Sequence, residues 1–473
     1  MNKKLWLALP VSVLLACVPA HQALTTFEAL PAFPVGNDAP RIPSHGALKW
    51  QDWVVDAQLK SLIQEAFDKN LEIKYLDQAI HMSDAEILAR KGEYLPFVNL
   101  LAASDGGRVG SFTRWGALEH QIEIIPGEEN PEFLKNHQVG AVASWEVDLW
   151  QKLRNEKRAA VQEWLATQEA KHMAQSALLS EVTHLYYEIC ALDLQKQTLQ
   201  TTIEIQLDAL EIVKLLKANG REDQLAVLRY AAEVQKNQGI LFHLDQQKSQ
   251  ALNMLSVLLA KPAGALSIET EALVDFSVPS VSSGVSSDLL TNRPDIRKAE
   301  RELQAANFDL KAARAAFYPQ ITLRAGGGLE AFKLQYLALS PEAVAYNLAG
   351  DLVGPLVNRR GLKARFKKAN SHQIQVALDY QQSTLTAYAE VVTLLTKQEN
   401  MAQAMARQSE QVALLEEGVS VSKQLFQSAR ADYVEVLMTQ REALEAKMEW
   451  IETKKEQWLT WMDLYVALGG GWN

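Results

Sequence analysis

The side chains of this 473-residue chain that could do chemistry are dispersed, and no spacing joins them into a reacting group. Nine histidines are scattered, the nearest two, His172 and His184, lying twelve residues apart, so no local pair has metal-ligand spacing. There is no Gly-x-Ser-x-Gly elbow, no phosphate-cradling P-loop and no His-Glu-x-x-His pair. A metal cluster assembled from distant segments stays open. No cofactor is implied, and the chain reads as something other than an enzyme.

One cysteine stands where its thiol could be modified. Lys3 and Lys4 precede a largely apolar stretch over 5–16, and Leu14-Leu15-Ala16-Cys17 follows. That order resembles the bacterial lipoprotein processing box, which predicts a signal peptide over 1–16 and a lipidated N-terminal segment over 17–55 starting at Cys17. Val18, rather than Asp, resembles the pattern routed to the outer membrane. The competing reading is an ordinary secretory leader with an incidental cysteine. One acyl chain anchors only marginally, so several chains or additional insertion must hold the protein. Cys190, the only other cysteine, lies in an apolar helical stretch and is expected to be a buried small hydrophobe.

The formal charge of −10, with no basic cluster, argues against a nucleic-acid partner. Outside the leader no apolar run is long enough for a transmembrane helix.

The elements that would position any site occur twice. Asn70-Leu71-Glu72-Ile73-Lys74 resembles Arg293-Pro294-Asp295-Ile296-Arg297 at an offset of 223, which Tyr94-Leu95-Pro96 and Phe317-Tyr318-Pro319 preserve. Leu153-Arg154 and Leu362-Lys363, Gly220 and Ala429, Asp223 and Asp432, and Val227-Leu228 and Val436-Leu437 then share an offset of 209. The first copy therefore carries about fourteen more residues between Pro96 and Leu153, and the Glu-, Pro- and Asn-rich stretch 120–137 is the natural longer loop. The division expected is a first repeat over 56–270, a linker over 271–287 and a second repeat over 288–473.

Each copy reads as helix, strand pair, very long helix, turn, helix. Residues 153–219 hold no Gly or Pro, and Val182, Ile189, Ile203 and Leu210 form one heptad row. Leu185, Leu192, Leu199 and Val213 form a second, the rows being interrupted by Lys196 and Gln206. A helix of some 65 residues would be about 97 Å long at 1.5 Å per residue. These helices are too polar for lipid.

Between the helices the period falls from seven to two. Val139, Ala141, Ala143, Trp145, Val147 and Leu149 alternate with Ser144, Glu146 and Asp148. Ile321, Leu323 and Ala325 alternate with polar neighbours, as do Val344, Tyr346, Leu348 and Leu352; residues 97–103 would be the fourth strand, with poor alternation. Such segments suit a membrane β-barrel. An antiparallel sheet on a soluble core is the rival, which the export signal and very long helices disfavour. Four strands cannot close a barrel, and an open edge cannot sit in lipid, so the chain must oligomerise.

With these features the sequence resembles the outer-membrane efflux proteins, the TolC-like outer-membrane factors, in their lipoprotein branch. The resemblance runs from about Trp50 to Trp472. It rests on N-R-P-D-I-R-K-A-E (292–300), A-A-R-A-A-F-Y-P-Q-I-T-L (312–323), A-D-Y-V-E-V-L-M-T-Q-R (431–441) and L-Y-V-A-L-G-G-G-W (464–472). It implies an α+β membrane protein: a homotrimer sharing one twelve-stranded β-barrel, four strands per chain, continued by a periplasmic coiled-coil α-barrel. It implies a passive duct docked through a periplasmic adaptor to an inner-membrane transporter, conducting small molecules to the exterior. The stretch after Cys17 lacks the Tyr/Arg/Pro-rich segment common in this branch.

By the same resemblance two places carry function. Asn219, Gly220, Arg221, Glu222 and Asp223, with Ala429, Arg430, Ala431 and Asp432, would be the periplasmic tips that meet the adaptor. Ala429 replaces the usual Gly. Val434, Glu435, Met438 and Arg441 would narrow the tunnel, with Met438 where another carboxylate is often found. Three copies of Glu435 would form a ring favouring cations. The bland alternatives are a charged helix turn and a solvated glutamate. Rival functions are a polypeptide export duct and a structural coiled-coil lipoprotein without a pore.

Overall fold

The computed structural model describes residues 48–268, 278, 288–354, 359–428 and 430–472. The expected signal peptide, Cys17, the linker apart from Val278, and Ala429 lie outside the described residues.

The first copy comprises α3 (Leu71–Glu93), β1 (Phe97–Gly107), β2 (Leu134–Val147), α5 (Lys152–Ala218) and α6 (Gln224–Leu258). It is preceded by α1 (Trp50–Trp53) and α2 (Ala57–Lys69), and α4 (Arg114–Gln121) lies in its strand connection. After the short α7 (Leu289–Asn292), the second copy comprises α8 (Pro294–Ala315), β3 (Gln320–Ala331), β4 (Val344–Val353), α9 (Arg360–Gln427) and α10 (Tyr433–Ala467). The long helices α5 and α9 have 67 and 68 residues, and α6 and α10 have 35 each. The expected order of elements is therefore present in both copies. No helix among the described residues is long and apolar enough to cross a membrane.

The expected positions differ in two details. The longer connection of the first copy begins at residue 108 and contains α4, while β2 starts at Leu134 rather than after 137. Asn130 ties that connection together, its Nδ2 donating to the carbonyls of Glu119 and Ile122. At the other end β2 stops at Val147, so Asp148 and Leu149 do not extend the alternation. Asp148 instead accepts from the backbone N–H groups of Leu153 and Arg154 at 3.1 and 3.0 Å, satisfying two donors at the start of α5.

The chain forms two compact units, one containing 81–164 and 301–377, the other 48–80, 165–300 and 378–472 among described residues. The first holds a four-stranded antiparallel sheet in the order β1-β2-β3-β4. Its register puts Val98, Ala143, Ala325 and Leu348 in one transverse row, and Leu100, Ala141, Gly327 and Tyr346 in another. Directly paired residues share a face, so these rows lie side by side with Trp145, Leu323 and Leu352. Leu100, Tyr346 and Leu348 are 93%, 87% and 82% exposed. The opposite face carries Asn99, Ser144, Glu146, Thr322, Arg324 and Asp351. Phe97 and Leu101 fall on this polar side, which is why β1 alternates poorly as sequence.

The second unit has an aromatic core. Trp53 stacks on Trp461 at 4.2 Å and on Tyr465 at 4.9 Å, and the Tyr465 hydroxyl donates to the Leu48 carbonyl at 2.7 Å. The Gly-Gly-Gly-Trp ending is latched into it. Ser176 Oγ donates to the Gly470 carbonyl at 2.9 Å, and Trp472 stacks on His172 and under Arg297. Arg293 donates to Glu390, Asp295 and the Ala467 carbonyl, which accounts for the Asn-Arg-Pro-Asp motif.

The heptad rows are core as expected: Val182, Ile189, Leu199 and Val213 are at most 1% exposed. Their two polar interruptions differ, because Lys196 reaches outward to Asp245 at 2.6 Å whereas Gln206 is fully buried. Cys190 is buried, and that burial pushes its thiol up to about 12, so it is an unreactive packing residue.

Candidate functional site

The site grows from the two helix turns that end α5 and α9, both within the second unit. At the first, Gly220 adopts φ +69°, the Arg221 N–H bonds the Leu216 carbonyl and the Gly220 N–H bonds the Lys217 carbonyl. This is a Schellman closure with glycine at the left-handed position. Asn219 Nδ2 donates to the Leu215 carbonyl, and Asp223 caps α6 by accepting from the Ala226 N–H at 2.9 Å. At the second turn the Arg430 N–H bonds the Leu425 carbonyl at 2.8 Å, the equivalent bond at the 209-residue offset. Asp432 holds the capping position of α10 but makes no side-chain cap bond.

The turns approach one another. Glu222 has its carboxyl raised above the usual glutamate range, first by burial and then by the negative charges of Asp223 and Asp432. Behind them Tyr230, Leu437, Leu210, Val213 and Ala226 form a small apolar cluster, and Tyr230 lies 6.5 Å from Tyr433. Burial, then the Glu222 charge, pushes the Tyr230 hydroxyl up to about 12.

The expected narrowing residues start α10. Val436 and Leu437 face inward, whereas Glu435 and Met438 are exposed and one turn apart; Val434 is half-buried. Arg441 leaves this row. Its Nε lies 3.6 Å from Glu233 Oε1 on α6, which Lys236 also approaches at 3.2 Å. Glu233 was not legible as a partner because it stands 208 positions from Arg441 along the chain.

A second convergence is also invisible in sequence. Ser180 Oγ and His184 Nε2 both bond Asp463 Oδ1, at 2.9 and 2.8 Å. The hydroxyl donates to the carboxylate rather than to the imidazole, so the trio lacks the nucleophile–base contact of acyl transfer. Among the described residues no group of three or more His, Cys, Asp or Glu is arranged to hold a metal.

A sheet with one apolar exposed face and one polar face, in a chain whose two longest helices have 67 and 68 residues, fits a channel-type outer-membrane protein. The chain belongs to the outer membrane efflux protein family, which it matches over residues 62–261 and 285–470. It is 27% identical over 433 residues to the solvent efflux pump outer membrane protein SrpC of Pseudomonas putida, covering 90% of this chain and 88% of that one. The cation efflux system protein CusC of Escherichia coli K12 is 26% identical, covering 89% and 88%. The fold is that of the open-state MtrE outer membrane channel of Neisseria gonorrhoeae, with a TM-score of 0.83 at 22% identity over 96% of this chain and 98% of that one. The protein is an outer-membrane channel subunit of an efflux system.

Proposed function

We propose that three copies close their sheets into one twelve-stranded barrel and their helices into a periplasmic tunnel, forming a passive duct for small molecules. The observation that carries this is the sheet: one face is apolar and exposed, and β1 and β4 are edges that pair with no other strand among the described residues. An unpaired edge cannot persist in lipid, so neighbouring copies must supply β1–β4 pairing. Cys17 is the lipid attachment point. The turns at 219–223 and 429–432 contact a periplasmic adaptor that connects the duct to an inner-membrane transporter. SrpC and CusC are named for solvent and cation efflux, so cargo choice is assigned to the upstream partners. Native mass spectrometry in detergent should give a trimer, and a clean monomer would overturn the reading.

The tips should respond to acid. Because Glu222 titrates above its ordinary value of 4.5, the favourable protonated state is complete below that value and lost as pH rises through the raised one. Acidification therefore removes repulsion between Glu222 and Asp432 and tightens the two turns. Bilayer recordings should show openings becoming rarer as pH is lowered towards 4.5, and Glu222→Gln should flatten that dependence. An unchanged pH profile in Glu222→Gln would remove this carboxyl from the response.

A further inference from the structure

The helices behind the tips are joined by two apolar layers with a layer of amides between them. One layer contains Leu199, Ile203, Leu244 and Leu444, the other Leu210, Val213, Tyr230 and Leu437. On α5, Gln206 falls between Ile203 and Leu210. On α6, Asn237 falls between Tyr230 and Leu244, and on α10, Gln440 falls between Leu437 and Leu444. Gln206 and Asn237 are fully buried, and Gln440 is 5% exposed.

These amides share a single bond, from Asn237 Nδ2 to Gln206 Oε1 at 2.9 Å. Gln206 Nε2, Asn237 Oδ1 and Gln440 Oε1 have no protein partner. Turning both amides of the bonded pair over does not help, since one N–H donor and one carbonyl acceptor are left in either orientation. An apolar layer here would favour one register by packing alone. A half-satisfied amide layer raises the energy of the described register and offers complementary groups on α5 and α10.

We propose that this layer is a two-position rung between the helix pairs. In the second position α10 is displaced against α5 so that Gln206 Nε2 donates to Gln440 Oε1. Because α10 is continuous, the displacement carries Leu437, Glu435 and the Asp432 turn with it, coupling the rung to the opening of the tip. A shear of packed helices between two discrete arrangements is an established kind of transition. The proposal rests on reading the tip as the end that opens.

The test compares the Gln206→Leu/Asn237→Leu trimer with the unaltered protein, by thermal midpoint and by opening frequency in planar bilayers. The rung predicts a higher midpoint together with openings at least tenfold rarer. A higher midpoint with unchanged opening would make the layer a mere packing flaw. A lower midpoint would show that water or another group satisfies the amides. Either result overturns the proposal. If the double variant does not assemble, Gln440→Leu is read in its place: it leaves the existing bond intact and should still cut opening tenfold, and unchanged opening overturns the rung. Glu435→Ala, recorded in parallel, separates the two readings. Unchanged selectivity there, with reduced opening in the amide variants, sinks the gate and leaves the rung standing.

Discussion

Gly470→Ala is expected to abolish most of the assembled channel. A Cβ on Gly470 would stand 2.3 Å from Cζ of Tyr465 and 2.4 Å from its Cε2, well inside any tolerable contact. The ring cannot retreat. It is 0% exposed, stacked on Trp53 and fixed by its hydroxyl bond to Leu48. The backbone is fixed as well, because Ser176 holds the Gly470 carbonyl and the flanking Gly469 and Gly471 have φ of +98° and +101°. Overpacking a rigid core costs about 1–3 kcal/mol and sometimes more, a large part of the roughly 5–15 kcal/mol that a folded domain commands. The measurement is the amount and melting midpoint of heat-resistant oligomer recovered from membranes. Gly239→Ala is the control: a Cβ there meets nothing within 4 Å in mid-helix, so stability should hold or rise slightly. Wild-type recovery of Gly470→Ala would show that the latch yields more readily than its packing indicates.

Glu435→Lys should invert the charge selectivity of the closed or narrow channel, and Glu435→Ala should weaken it while raising leak. Glu435 is exposed on the first turn of α10 and makes no salt bridge among the described residues, unlike Arg441. A cation roughly 6 Å from three carboxylates in water gains about 2 kcal/mol in total, and screening at physiological salt roughly halves it. That corresponds to roughly a fivefold change in cation preference on neutralisation, diminishing as salt is raised. Selectivity and conductance in planar bilayers that match the unaltered protein in both variants would return Glu435 to the status of a solvated surface group. Met438, exposed beside it, supplies no charge, so the proposed ring would hold one carboxylate per chain.

The candidate site was only half legible. The turn at Gly220 was found through the resemblance, and the structure gives it a left-handed glycine followed by the acidic cap Asp223. The resemblance groups Arg441 with Glu435, yet Arg441 is tied to Glu233 across the helix pair. Gln206 looked like a gap in a heptad row, whereas it is a buried bonding partner of Asn237. The Gly-Gly-Gly-Trp ending was recognised as a motif without its cause, which is the lack of room beside Tyr465 and the seat of Trp472 against His172 and Arg297.

What the sequence determined by itself was everything that repeats at fixed spacing. The two copies, the helices of 67 and 68 residues, and the alternating strands are set by side chains a few positions apart, so periodicity along the chain reports them. Family membership follows from the same local patterns. The tertiary structure decided which segments face each other. Only the strand register places Phe97 and Leu101 on the polar face and gathers Leu100, Tyr346 and Leu348 into one apolar surface. Only the packing of the helices brings Glu222 towards Asp432, Arg441 to Glu233 and Asn237 to Gln206. Contacts of that kind depend on how far one helix is advanced along another, a quantity to which the apolar period alone is nearly indifferent.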